Sequence, residues 1–308
     1  MQKILLFIAS LFYFNFLFSK NEIKSWQGIH ETPLSRLEQQ FAEPPVEFAN
    51  HVIWGWEGKM DKKTICNDLD SIKKKGFRAV IFEAGYKLPF KYLSEEWFKA
   101  IRTGVLEAKK RGMKVWIIDE GKYPSGFAGG KFSQERPDLR MQALVIGDTI
   151  QIKRGEVMTN HKIAPEIISA VAVSTSGAPN RTVAINNGEI SFNAGLDDWK
   201  ILLVKSDFRT AVTRAVNNPN GGKDATNSLC DYLNPIAVQQ FIDWTHKQYK
   251  KYLGKELGTT VLGFRGDEPD YAHLPWTPSI VQTFKETKGY DPTPYLASFF
   301  TTSPTIQE

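Results

Sequence analysis

Between residues 51 and 118, short apolar runs alternate with segments whose apolar residues recur at helical spacing, and this alternation leaves few folds open. His51–Trp56 reads as a strand, and Asp61–Lys75 as a helix with Ile65, Leu69 and Ile72 on one face. Phe77–Phe82 reads as a second strand and Ser94–Arg111 as a second helix, with Ser94 as its N-cap. Gly76 and Gly112 stop the two helices, and Met113–Ile118 is a third strand. Strands separated by helices of this length pair in parallel through right-handed βαβ units. After a break the rhythm resumes with a helix from Asn234–Pro235 to Leu253, a fourth strand at Thr260–Phe264 and a helix over Ser279–Lys288.

The break has a different character. Leu144–Ile146, Ala170–Val173, Thr182–Ile185 and Lys200–Val204 are β-rich runs with no helical pattern between them. Ser176-Gly177, Asn187-Gly188 and Ala194-Gly195 supply turns, and Asn217–Gly222 a return loop. The expected architecture is α/β: a partial (β/α)8 barrel of the TIM type, about four βα units, with an inserted small antiparallel β module. Residues 51–142 form the first part of the barrel, 143–216 the module, and 217–308 the continuation, ending before the barrel closes.

Residues 1–19 read as a secretory signal peptide, with Lys3 before the apolar run Ile4–Phe18 and the small Ser19 at a cleavage position. An uncleaved anchor is the alternative. A polar lead-in over 20–50 follows, and no stable membrane span is expected once the peptide is removed. The reading places the mature protein outside the cytoplasm, secreted or periplasmic. Cys66 and Cys230 could pair there, but two free thiols suit a core of this size better. A formal charge of +5 is small for 308 residues, and Lys73–Lys75, Lys109–Arg111 and Lys250–Lys251 fall on helical patterns. That dispersal excludes a nucleic-acid partner. No His or Cys spacing forms a zinc site, and metal ligands remain unassigned.

Two of the apolar runs end in acids: Val115–Ile118 in Asp119-Glu120, and Val261–Phe264, through Arg265-Gly266, in Asp267-Glu268-Pro269. In a parallel barrel such strand ends form the rim where chemistry is done. Paired carboxylates there are the minimum equipment for cleaving a glycosidic bond, one protonated and one ionised. Helix capping is the plainer role for a single acid at such a place. Side chains alternate along a strand, so only one member of each pair can face a common space. Glu268 is the candidate general acid, Glu120 or Asp119 its partner, and Asp267 an orienting group. Glu83, at the end of the second strand, is a third rim acid. Trp56, Tyr86, Tyr123 and Ser125 are candidates for binding sugar, as are Asp231 and Asn234, which flank the return from the module. Arg265 reads as solvent-facing or paired with Asp267.

Several of these strings resemble a known family. Asp119-Glu120, Pro124-Ser125-Gly126 and Gly129-Gly130 resemble a loop of the bacterial α-L-rhamnosidases of glycoside hydrolase family 106. Asp231-Tyr-Leu-Asn234-Pro235 followed by Phe241, Thr245-His246 and Tyr249 is similar too, as are Gly266-Asp267-Glu268-Pro269, Trp276-Thr-Pro278 and Gly289-Tyr-Asp291. Gly266 stands where the family pattern usually has Thr. The resemblance implies a (β/α)8 catalytic domain with an inserted β module, an oligo- or polysaccharide substrate, and a catalytic role for Glu268. It implies that calcium can lie near the site, with no ligands assigned; no other cofactor is read. Members of the family are much longer, so the chain reads as an N-terminal portion. A secreted glycoside hydrolase is the expected function, and a catalytically incomplete carbohydrate-binding remnant the alternative. A metal-dependent hydrolase or deacetylase is disfavoured by the scattered histidines.

Overall fold

A computed structural model of the chain describes residues 33–42, 50–210, 214–215, 228–269, 273–301 and 306–307. The expected signal peptide and the return loop at 217–222 lie outside the described residues. The chain divides into two units, Met1–Asn50 and His51–Glu308. The described part of the first is a helix, Leu34–Ala42, with no buried side chain.

In the second unit the alternation of the sequence becomes a parallel sheet. Its strands are β1 (His51–Trp56), β2 (Ala79–Ala84), β3 (Lys114–Ile118) and β4 (Val261–Arg265). They lie side by side in chain order, all parallel. Helix α1 (Lys62–Lys74) follows β1, and its N-cap Asp61 accepts the Thr64 N–H at 2.9 Å. Helix α2 (Glu95–Lys110) follows β2 and buries Trp97, Ile101, Val105 and Ala108 at spacings of three and four. These side chains pack with Leu69 of α1 and with Trp56, Phe82 and Val115 of the sheet into one core. Closure of the sheet into a barrel is not seen among the described residues.

Between β3 and β4 the chain builds antiparallel sheet. Gln142–Ile152, Trp199–Phe208 and Ile167–Ser174 pair in that spatial order. Pro275–Trp276 joins one edge, and Asn180–Thr182 with Ile306–Gln307 the other. Both faces of this sheet are covered. Ala170, Ala172, Ile201 and Leu203 pack into one core, while Val171, Leu202, Val204 and Trp276 pack into a second. Alternate residues serving two cores account for the unbroken apolar runs in the sequence. A second, three-stranded sheet holds Val157–Lys162, Glu189–Asn193 and Ile185–Asn186.

One expected element is broken in two. The segment read as a single helix to Leu253 forms α3 (Pro235–Trp244) and α4 (His246–Leu253). Thr245, between them, has φ −115° and ψ −86°, and its hydroxyl donates to the Phe241 carbonyl at 2.6 Å. Threonine bonding back one turn competes with the helical ladder and bends it. Both cysteines are free, Cys230 buried and Cys66 partly so.

Candidate active site

Asp119 and Glu120 leave the end of β3 in opposite directions, as strand alternation requires. Glu120 is 0% exposed and turns into the loop that follows. Its Oε1 accepts the N–H groups of Gly121 at 2.7 Å and Gly129 at 2.9 Å. Its Oε2 accepts those of Phe127 at 2.7 Å and Ala128 at 2.5 Å. A carboxylate has about four acceptor sites, and all four are used. Burial pushes this carboxyl up to about 7, against N–H donors that favour the ionised form. At two of its glycines the loop has no room for a side chain. A Cβ on Gly121 would lie 2.8 Å from the Tyr92 ring, and Gly126, at φ +99°, abuts Tyr232.

Asp119 faces the other way and is 9% exposed. Its Oδ1 accepts the Ser125 hydroxyl at 2.6 Å, and the Ser125 oxygen in turn accepts the Asp267 N–H at 2.6 Å. The Ser125 N–H donates to the Asp267 carbonyl at 2.9 Å. Ser125 thereby ties the ends of β3 and β4 together, where Ile118 already pairs with Arg265. The Tyr232 hydroxyl donates to the Ser125 carbonyl and holds the loop from behind. Burial raises the Asp119 carboxyl, opposed by the Ser125 hydrogen bond and by His246 nearby.

Asp119 and Ser125 lie in a cleft of about 410 Å³ whose other walls include Gly126, Tyr232, Val238, Phe241, Ile242, His246, Gly266 and Pro269. Oδ2 of Asp119 lies on the Gly266 side: a Cβ there would be 4.0 Å from it. His246 opens α4 directly after the Thr245 break, its Nδ1 2.9 Å from the Thr245 hydroxyl. Its ring packs 4.4 Å from that of Phe264 on β4, and burial lowers its pKa. A larger cleft of about 770 Å³, lined by Trp276, Phe284, Tyr290, Tyr295 and Phe299 among others, has no carboxylate and no histidine among the described residues of its lining.

The sequence-predicted residues separate into two groups. Asp119, Ser125 and Asp267 meet at the cleft, and Arg265 pairs with Asp267 at 3.5 Å. Glu268 stands between Gly266 and Pro269, exposed and at φ +40°, outside the buried setting expected of a general acid. Glu120 is corrected from catalyst to loop anchor, because its oxygens are spent on backbone. Trp56 is corrected from sugar platform to core, at 0% exposure and 5.0 Å from the Phe82 ring. Asp231 is only 2% exposed and accepts the Leu233 N–H at 3.0 Å, so it shapes a turn rather than facing substrate. Asn234 caps α3 through the Ile236 N–H at 3.0 Å. Glu83 lies over Gly55 of β1, and Tyr86 and Tyr123 are half-buried; none of the three lines the cleft. His246 was missed as a site residue. The signal was Thr245, whose back-bond ends α3 and aims the next residue at β4. Among the described residues no group of three or more His, Cys, Asp or Glu side chains could hold a metal ion, so the calcium implied by resemblance has no such donor set among them.

Comparison with known proteins bears on these residues. Residues 160–302 match the model of glycoside hydrolase family 106, described as alpha-L-rhamnosidase. That segment carries Asp267 and Glu268 and stops short of the Asp119 loop. A curated protein of Formosa agariphila named "Putative beta-glucuronidase" is 23% identical over 328 aligned residues, covering 89% of this chain and 27% of that one. The solved rhamnosidase from Novosphingobium sp. PP1Y matches with a TM-score of 0.54 at 13% identity, over 88% of this chain and 43% of that one, a likeness of fold. The chain thus spans about a quarter of the first relative's length and less than half of the second's. Motifs, matched segment and fold agree, and the resemblance stands: the chain is rhamnosidase-like, similar over residues 160–302 to the α-L-rhamnosidases of glycoside hydrolase family 106.

Proposed function

We propose that the protein is an exported glycoside hydrolase in which Asp119 protonates the departing glycosidic oxygen. The supporting observation is a buried carboxyl at the end of a parallel strand, lining a cleft, with one oxygen bonded to Ser125 and the other on the Gly266 side. Burial favours the protonated form that an acid catalyst needs. Glu268, one residue beyond Asp267, is the partner carboxyl, reversing the roles expected from sequence. In this reading the four parallel strands are the first arc of a (β/α)8 barrel with an antiparallel insertion. The apolar run 4–18 behind Lys3 is what supports export.

The lining favours a neutral sugar. Among the described residues the cleft has no Lys or Arg, and burial works against a charge on His246. The neighbouring Arg265 is taken up by Asp267, so among the described residues a uronate carboxylate would lack a free counter-charge there, whereas Val238, Phe241 and Ile242 suit the methyl group of a 6-deoxyhexose such as rhamnose. The test is hydrolysis of alkyl and activated aryl α-L-rhamnosides, beside an aryl β-D-glucuronide, by the complete protein. Asp119→Asn is expected to slow the alkyl substrate by about 10²–10⁴. The loss should be much smaller for an aryl leaving group that departs without a proton. Equal losses on both substrates remove Asp119 as the acid, and preference for the glucuronide overturns the sugar assignment.

A further inference from the structure

We propose that Ser125 is a positioning residue of the glycoside-cleaving site, whose hydroxyl fixes which oxygen of Asp119 faces the cleft. The inference rests on Asp119 being the proton donor. Sequence alone made Ser125 a sugar-binding group, but its hydroxyl hydrogen goes to Asp119 Oδ1 and its oxygen accepts the Asp267 N–H, both at 2.6 Å. The single donor of a serine is thus consumed. Its main chain is equally committed, with N–H to the Asp267 carbonyl and carbonyl from the Tyr232 hydroxyl. The arrangement is not a nucleophilic triad. Ser125 and His246 share the cleft, but the serine proton points at a carboxylate rather than at an imidazole.

Holding Oδ1 leaves Oδ2, on the Gly266 side, to meet the substrate. The same bond should tune the proton. A hydroxyl donating to a carboxylate favours its ionised form, so Ser125 limits how far burial can raise Asp119. The other titratable groups around Asp119 are His246 from α4, Asp267 after β4, Glu120 and Cys230, with the buried phenols of Tyr92 and Tyr249 behind them. None of these also bridges to the backbone of β4's end.

The experiment is a pH profile of kcat/KM for Ser125→Ala, Ser125→Cys and Ser125→Thr in the complete protein, on an alkyl α-L-rhamnoside. Ser125→Ala is expected to lower kcat about tenfold to a hundredfold with little change in KM. It should also move the basic limb up by about one pH unit, because that limb reports the acid. Ser125→Thr, which keeps the hydroxyl, restores most of both. If Ser125→Ala does not fold, Ser125→Cys, which keeps the size but is a poor donor, must show the same shift. A rise in KM at constant kcat returns Ser125 to sugar binding and overturns the proposal. So does an unmoved basic limb in a variant that has lost rate. If Asp119→Asn is fully active, the reading of the site has failed, whatever Ser125 does.

Discussion

The ends of β3 and β4 carry the same two-letter sequence, Asp-Glu, and differ in surroundings at each position. After β3 both acids are buried; after β4 Asp267 is half-buried and Glu268 is exposed. Glu120 is enclosed by backbone N–H groups, whereas the Asp267 carboxylate meets the half-exposed Arg265 at 3.5 Å. A motif supplies a carboxyl, but its neighbours decide its work. Full use of four acceptor sites makes Glu120 a fixed acceptor for the loop that carries Ser125 to Asp119. The end of β4 needs no such anchor, because the β3 loop reaches across and binds its backbone.

This contrast is broken most severely at Glu120. Glu120→Ala leaves four N–H groups of a buried loop without an acceptor, each costing about 1–3 kcal/mol. A loss of at least about 4 kcal/mol, or failure to fold, is expected, read as a fall in urea midpoint at constant m. A variant as stable as the parent shows that the loop holds itself. The second effect is one of pH. The folded Glu120 carboxyl stands at about 7 against an ordinary 4.5, so the fold binds the proton more tightly than the unfolded chain does. Its contribution is therefore fully present below about 4.5 and lost as pH rises through about 7. The stability difference between the parent and Glu120→Gln should change by roughly 3 kcal/mol across that window, and a flat difference refutes the burial argument. The smallest effect belongs to the other end. Glu268→Ala should alter stability by no more than about 0.5 kcal/mol, read as an unmoved urea midpoint, and in the proposed reading it removes the partner carboxyl. A large destabilisation there would erase the contrast.

Much of this was legible in the sequence, and the reasons differ by element. The parallel strands could be read because apolar runs between amphipathic helices admit few arrangements, and His51–Trp56 is recovered to the residue. The antiparallel region was harder. Val157–Lys162 and Glu189–Asn193 are too polar to announce themselves, and they pair in a small sheet with one packed face. That Asp119, Ser125 and Asp267 gather in one place could be anticipated, because all three stand at or just beyond strand ends. Their division of labour could not, because it depends on which way each side chain turns and on backbone N–H groups that no residue name records. Trp56 misled for a related reason: an indole at a strand end suits a sugar or a core equally well, and here α2 covers it with Trp97.

The hydrogen bond from the Asp267 N–H to Ser125 joins residues 142 positions apart, whereas β1 and β2 meet across a few tens of residues. Loop-closure entropy makes the distant junction about 1–2 kcal/mol costlier to form if nothing intervenes. Most strands of the antiparallel sheets lie within that interval, and their collapse beforehand would shorten the distance the chain must search. The cleft is therefore expected to assemble late, after the scaffold on either side of it exists. Pulsed hydrogen exchange during refolding should find the Ser125 and Asp267 amides protected after those of β1 and β2. A chain that folds in this order brings Asp119, Ser125 and Asp267 together only after its scaffold is in place.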